Sequence, residues 1–337
     1  MNRALFASLA FCVILAAGDS LPPHQGTVLL GERSFTDVWI IAETSEGAQH
    51  TLDNKRDGPP TTTPRKSYQR IDYEQPKQVN WLRGDAFAIK GMWAEAAAEF
   101  MTATGKPDTW YTRENSFLRA AEAFVQAKKP DDAIKALDGL LAVNAKSVEL
   151  ARITYLRGQA LRLKGDAPGA LKAFAELAAR PDVQSLSLGA LGQGELYTAE
   201  GKHDEAAKAL AAAFAKLDPD KHSELFGQIG VALAGAQQSA KQTEAAVATL
   251  RRLAYGAADD FTRARAQLTW AKLLAADEAT IFEAFDHAVI ALSARGAGAV
   301  ADQAGQLARQ LSQKIDKLAD TQVPPAIKAE YRRYLSR

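Results

Sequence analysis

Two patterns of apolar residues divide the chain. Between residues 26 and 74, apolar and β-branched residues alternate with polar ones in short runs. These runs lie at 27–30, 35–44, 49–52 and 67–73. Alternation with a period of two residues predicts strands, and the polar, Gly- and Pro-rich segments between the runs predict turns. We therefore expect residues 19–75 to form a small β-rich domain, either an antiparallel barrel or a curled sheet.

A β unit of this size is marginally stable alone, so we expect it to pack against the helices that follow. Two of its large aromatic residues, Trp39 and Tyr73, are able to stack on a ligand. In so small a domain such side chains are more often part of the core, and we interpret them as core residues.

From Pro76 to the end, apolar residues recur at helical spacing in a sequence rich in Ala, Leu, Glu and Lys. The same arrangement of small and aromatic residues returns along this stretch. One small residue of each unit recurs at Ala96, Ala133, Ala170, Ala206 and Ala246, in steps of 37, 37, 36 and 40 residues. Nearly equal steps of this size predict repeated pairs of helices.

The turn inside each predicted pair has its own pattern. Three of these turns contain a glycine and the other two contain a lysine at the same place, namely Gly91, Gly165, Gly201, Lys128 and Lys241. A glycine there suits a left-handed helix C-cap. We predict that the second helices begin after the N-cap residues Asp131, Asp166, Asp204 and Thr243.

These spacings resemble the tetratricopeptide repeat (TPR) family, and the match is close at Trp81, Gly84, Gly91, Ala96 and Phe100. A short β module followed by TPRs is similar to some bacterial cell-envelope proteins, over roughly residues 26–260. The resemblance implies a mainly α fold: an α-solenoid of about five TPR-like repeats at 76–260. We expect residues 261–337 to be a degenerate repeat and capping helices, at about 261–276, 278–293, 299–319 and 325–335.

TPR proteins bind partner segments in a concave groove lined by the first helix of each repeat. Carrying the family's groove positions onto this chain gives eleven candidates: Gln78, Trp81, Asp85, Leu118, Glu122, Arg152, Tyr155, Gln159, Arg162, Leu191 and Glu195. The Lys and Asn residues with which one TPR subgroup holds a terminal carboxylate are missing. Because Asp85, Glu122 and Glu195 stand at groove positions, we expect a partner segment of neutral or basic character, although Arg152 and Arg162 are able to hold an acidic group locally.

The first 18 residues have the composition of a secretory signal peptide. Arg3 precedes an apolar run of about 14 residues that is followed by small residues and Asp19. This run is too short to span a bilayer, so we expect export to the periplasm or the exterior with no transmembrane anchor after cleavage. Phe11 before Cys12 argues against lipidation, and cleavage would leave no cysteine.

Charge and motifs exclude several classes of function. The 41 Lys and Arg residues balance 40 Asp and Glu residues, which gives no overall attraction to nucleic acid. No two of the five His residues are three or four positions apart, so no metal-binding helix face is predicted. We find no catalytic or nucleotide-binding motif and expect no enzyme activity, cofactor or metal.

The sequence therefore predicts a non-catalytic protein–protein interaction adaptor of the bacterial cell envelope. The alternative is a structural or assembly factor that docks to peptidoglycan or to an outer-membrane complex through the β domain. The partner's identity and the oligomeric state do not follow from the sequence.

Overall fold

The computed structural model describes residues 21–31, 33–51, 54–257, 259–294 and 298–334. The predicted signal peptide at 1–18 lies outside these residues. The chain forms two compact units that meet in sequence between Leu150 and Ala151.

The first unit begins with five strands. They are β1 (His24–Leu30), β2 (Arg33–Thr44), β3 (Gly47–Thr51), β4 (Pro60–Pro64) and β5 (Arg70–Tyr73). All neighbours are antiparallel in the order β4-β3-β2-β1-β5, with His24 opposite Ile40 and Ile40 opposite His50. The predicted β unit is thus an open sheet and not a closed barrel, because its edge strands β4 and β5 do not pair with each other.

Four helices complete the first unit. They are α1 (Val79–Ile89), α2 (Trp93–Gly105), α3 (Trp110–Gln126) and α4 (Pro130–Val143). The sheet buries Val28, Val38 and Ile40 in a cluster that includes Trp110 of α3. The Trp110 indole Nε1 donates a hydrogen bond to the Ile40 carbonyl oxygen over 2.8 Å. The sheet therefore packs on a following helix, as the sequence predicts.

The second unit contains ten helices among its described residues. They are α5 (Leu150–Leu163, whose first residue precedes the boundary), α6 (Ala167–Ala178), α7 (Val183–Ala199), α8 (His203–Phe214), α9 (Ser223–Ser239), α10 (Thr243–Gly256), α11 (Asp260–Leu274), α12 (Ile281–Leu292), α13 (Ala299–Lys317) and α14 (Pro325–Tyr334). A short 3-10 turn, Glu278–Thr280, precedes α12. The predicted bounds of the helices after residue 260 agree with these to within three residues, and the predicted end at residue 335 lies outside the described residues.

Small residues occur where the helices of a pair cross. A Cβ atom on Gly84 would lie 2.8 Å from the Phe100 ring, and one on Gly158 would lie 2.4 Å from the Phe174 ring. On Gly194 a Cβ atom would lie 2.6 Å from Leu210. The glycines of the TPR-like pattern thus lie where one helix of a pair contacts a phenylalanine or leucine side chain of the other helix. Both units therefore contain TPR-like antiparallel helix pairs.

All five predicted turns have the same backbone conformation. The φ angle is +71° at Gly91, +83° at Gly165 and +72° at Gly201. Lys128 and Lys241 hold the same place with φ angles of 56° and 58°. A left-handed backbone conformation has a higher energy for lysine than for glycine, because lysine has a Cβ atom. At these two lysines the packing of the helix pair therefore imposes a conformation that the residue itself disfavours.

Three of the four predicted N-caps are wrong. Only Asp166 caps its helix, where its carboxylate accepts a hydrogen bond from the Gly169 backbone N–H over 2.9 Å. Asp131 and Asp204 lie inside the first turns of α4 and α8, and Thr243 is the first residue of α10. In α4 the reason is Pro130, whose fixed φ angle suits the first helical position, so the helix begins before Asp131.

Candidate functional site

The groove candidates of the first unit lie on α1 and α3, the first helices of its two pairs, except for Gln78, which directly precedes α1. Gln78 caps α1, because its side-chain Oε1 accepts a hydrogen bond from the Trp81 backbone N–H over 2.7 Å. Trp81 and Leu118 are buried. The Trp81 ring packs edge-on against Phe100, with its Nε1 donating to Asn115 Oδ1 over 2.8 Å. These three candidates thus cap a helix or pack in the interior.

Asp85 and Glu122 face the same cation. The Arg119 guanidinium lies 2.8 Å from Asp85 Oδ1 on α1 and 3.5 Å from Glu122 Oε2 on its own helix. All three side chains keep between 19% and 31% of their surface exposed. Arg119 is absent from the sequence-based candidates, and it joins α1 to α3 in a cluster of two carboxylates and one guanidinium. We call these three residues the Arg119 cluster.

Four of the six groove candidates of the second unit form a larger network on α5 and α7. Gln159 is buried, and its Nε2 donates to the Tyr155 hydroxyl over 2.8 Å and to Glu195 Oε2 over 2.6 Å. Its Oε1 accepts a hydrogen bond from Arg162 over 2.6 Å. The Arg162 guanidinium also lies 3.9 Å from the Glu195 carboxylate. We call Tyr155, Gln159, Arg162 and Glu195 the Gln159 network.

The remaining members of this set differ in exposure. Arg152 is exposed at the start of α5, whereas Leu191 is buried in the core between α7 and its neighbours. Burial raises the pKa of the Tyr155 hydroxyl well above its ordinary value, and the nearby Glu195 carboxylate acts in the same direction. Tyr155 therefore stays neutral and serves as a hydrogen-bonding group.

In each unit, first-helix side chains hold one another in place through charge-assisted hydrogen bonds while Arg162, Glu195 and the Arg119 cluster stay partly exposed. Groups fixed in this way lose little conformational freedom when a partner binds. The Arg119 cluster places two carboxylates beside one guanidinium, whereas the second unit pairs the Arg162 guanidinium with the Glu195 carboxylate.

A second polar cluster joins the sheet to α3 and α4. The buried Glu43 carboxylate accepts a hydrogen bond from the Tyr68 hydroxyl over 2.7 Å and from the Tyr73 hydroxyl over 2.5 Å. Asn144 Nδ2 donates to the Glu43 carbonyl oxygen and to both carboxylate oxygens of Glu114 on α3. Burial raises the pKa of Glu114 to about 7. Tyr73 is thus committed to internal contacts, in line with its interpretation as a core residue.

Metal ligands and membrane spans are missing from what the structure describes. Across the described ranges, no group of three or more His, Cys, Asp or Glu side chains is placed to hold a metal ion. Within the same ranges, no helix has the length and apolar content that crossing a bilayer requires. His24, His50 and His287 are buried and use ring nitrogens in internal hydrogen bonds.

No family model matches the chain, and no curated protein matches it. Among solved structures, it is similar to a tetratricopeptide repeat protein from Parabacteroides merdae, with 16% identity and a TM-score of 0.44 over 68% of this chain and 82% of that one. A TPR repeat-containing protein from Cytophaga hutchinsonii, solved as its C-terminal part, matches with 14% identity and a TM-score of 0.48 over 76% and 93% of the two chains. A Rap protein in complex with Competence and Sporulation Factor matches with 15% identity and a TM-score of 0.44 over 76% and 73%. At these scores the matches carry no information on function, and the TPR-like fold is evident from the helix pairs themselves.

Proposed function

We propose that this chain of TPR-like helix pairs is a non-catalytic protein–protein interaction adaptor of the bacterial cell envelope. The observation that carries the proposal is the Gln159 network. It fixes the partly exposed Arg162 and Glu195 side by side on two first helices, through hydrogen bonds from Gln159 Nε2 to Glu195 and from Arg162 to Gln159 Oε1. Such an arrangement presents a donor and an acceptor of fixed direction to a peptide segment.

The charges of the two surfaces define the kind of segment each one accepts. Because Arg162 and Glu195 balance, the second unit suits a neutral segment that hydrogen-bonds to both. The Arg119 cluster presents two carboxylates beside one guanidinium and suits a basic side chain. We therefore propose a partner segment of neutral or basic character, for which Glu122 and Glu195 are the key carboxylates.

The test is charge reversal at the two carboxylates. A partner is first identified by co-purification with the unmodified chain from envelope extracts. The amount of this partner that co-purifies is expected to fall at least tenfold in the Glu122→Lys and Glu195→Lys variants. Matched controls are Glu95→Lys on α2 and Glu176→Lys on α6, which are exposed on second helices. Circular dichroism establishes that all four variants fold. Equal capture by the carboxylate variants and their controls would contradict the proposal.

The envelope location is supported by the composition of residues 1–18 and is tested by fractionation. A periplasmic protein that loses residues 1–18 on export is the expected result. Retention in the cytoplasm would contradict it. Sedimentation of the mature chain with peptidoglycan would instead favour the alternative of a structural factor docked through the sheet.

A further inference from the structure

The first helix of the array has an uncovered apolar face. Val79, Leu82, Ala86 and Ile89 follow one another at helical spacing along α1, and we call them the α1 outer face. Val79 is 60% exposed, Leu82 is 42% exposed and Ile89 is 80% exposed. The opposite side of α1 is buried through Trp81 and Gly84. The terminal unit of a repeat array normally shows a polar outer face to water, and this one does not.

The repeat register shows what covers the same positions elsewhere in the chain. Gly84, Gly91 and Ala96 each recur 110 residues later, at Gly194, Gly201 and Ala206. By the same shift, Val79 and Leu82 correspond to Gly189 and Gly192 of α7. A Cβ atom on Gly189 would lie 2.3 Å from the Ala178 backbone nitrogen of α6, and one on Gly192 would lie 2.3 Å from the Phe174 ring of α6.

On α7, the positions that correspond to the α1 outer face are therefore covered by the preceding second helix, α6. No helix precedes α1 in the described chain, and the sheet packs on Trp110 of α3 instead. A helix that lies on α1 as α6 lies on α7 would extend the array by one element and bury the α1 outer face. Val79 and Leu82 are larger than the two glycines of α7, so such a helix must present small side chains opposite them.

The charged residues beside the α1 outer face indicate the charge of the helix that would dock there. Arg83 and Lys90 are exposed next to Leu82 and Ile89, and within the described part of the chain neither forms an ion pair. Asp85 is engaged by Arg119. An acidic helix would pair with the two cations. A second copy of this chain would bring the same two cations through its own α1, or the basic residues Arg332 and Arg333 through α14.

We propose that the α1 outer face is a docking site for an amphipathic helix of another protein, with a stripe of small apolar side chains and acidic flanks. This site is separate from the Arg119 cluster and the Gln159 network.

The probe is a peptide with the sequence of residues 130–143, the α4 segment. Its apolar stripe is Ala133, Ala136, Leu137 and Leu140, and Asp131, Asp132 and Asp138 supply its acidic groups. A hydrocarbon staple that replaces Lys135 and Ala142 keeps the short peptide helical. A second peptide has Lys in place of the three Asp residues. Binding to the full chain is measured by fluorescence anisotropy.

The chain is expected to bind the acidic peptide saturably and at least tenfold more tightly than the basic one. The double variant Leu82→Glu and Ile89→Glu should lose at least tenfold in affinity. Tyr255→Glu, at a 72% exposed residue of α10, should change nothing. The double variant Arg83→Glu and Lys90→Glu should prefer the basic peptide.

Three results of the binding measurements would overturn the proposal. They are no saturable binding of the acidic peptide, equal binding by the Leu82/Ile89 double variant, and equal or better binding of the basic peptide by the unmodified chain. Light scattering tests the alternative that a second copy of this chain covers the face, because it measures the oligomeric state. A dimer of the unmodified chain that becomes monomeric in the Leu82/Ile89 double variant would assign the face to self-association instead.

Discussion

The Gln159 side chain on α5 donates a hydrogen bond from Nε2 to Glu195 Oε2 on α7 over 2.6 Å. The two residues are 36 positions apart, one repeat length, so the bond joins equivalent helices of neighbouring pairs. Through its other end, Gln159 also holds Arg162. One buried amide thereby fixes both charged groups of the proposed recognition surface.

Gln159→Leu should therefore destabilise the second unit. The substitution removes the hydrogen-bonding partner of the Tyr155, Arg162 and Glu195 side chains. Leaving partly buried polar groups without a hydrogen bond lowers the free energy of unfolding by about 1–3 kcal/mol. Urea denaturation measures the loss. Gln184→Leu, at an exposed position of α7, is the control and should stay within about 0.5 kcal/mol of the unmodified chain. A loss equal to that of the control would show that the network contributes nothing to stability.

Gly158→Ala should destabilise the α5–α6 pair by about 1–3 kcal/mol, since the new methyl group would lie 2.4 Å from the Phe174 ring. Gly235 on α9 is the matched control, because no atom lies within 4 Å of a Cβ placed there. Gly235→Ala should stabilise its helix by about 0.5–1 kcal/mol through helix propensity. Thermal unfolding of the two variants should therefore shift in opposite directions, and a shift in the same direction would contradict the packing described.

Lys128→Gly should stabilise the first unit by about 0.5–1 kcal/mol. The φ angle of 56° strains a lysine, and a glycine relieves that strain at some cost in unfolded-state entropy. Lys135→Gly, within α4, should have the opposite sign and cost about 1 kcal/mol. Both effects are read from denaturation midpoints, and a destabilised Lys128→Gly variant would show that the turn does not strain its lysine.

Stability of the first unit should fall as pH rises from about 4.5 to 7. Burial raises the pKa of Glu114 to about 7 from the ordinary value of 4.5, so the folded state favours the protonated acid. This stabilisation is fully present below pH 4.5 and is lost as pH rises through the folded-state pKa, to a total of at most about 3 kcal/mol. The measurement is the free energy of unfolding by urea at several pH values.

Glu114→Gln should remove this pH dependence and leave the variant more stable than the unmodified chain at pH 8. The exposed Glu95→Gln variant is the control and should keep the original profile. A Glu114→Gln profile parallel to that of the unmodified chain would show that another group governs the transition.

Local features of the fold are predictable from the sequence. Gly91, Gly165 and Gly201 mark turns because a left-handed backbone favours glycine, and the repeat register then places Lys128 and Lys241 in the same conformation. The N-caps are less predictable, because Pro130 allows α4 to begin ahead of the acidic residue that resembles its cap.

The candidate surface is predictable only in part. The family pattern selects first-helix positions, yet Trp81, Leu118 and Leu191 are buried there, since large apolar side chains fill the space between helices. Arg119 was missed because its pairing with Asp85 depends on how one repeat rotates against the next, and no local pattern records that angle.

Photo-crosslinking in living cells shows which helices contact a partner. A photoreactive amino acid is placed at Arg152 and at Thr198 on the first helices α5 and α7, and at Lys172 and Lys208 on the second helices α6 and α8; all four positions are exposed and lie outside the Gln159 network. We expect one discrete crosslinked partner from the first-helix positions and none from the second-helix positions. Crosslinks of equal yield from both kinds of helix, or from the second helices alone, would contradict the assignment of recognition to the first helices.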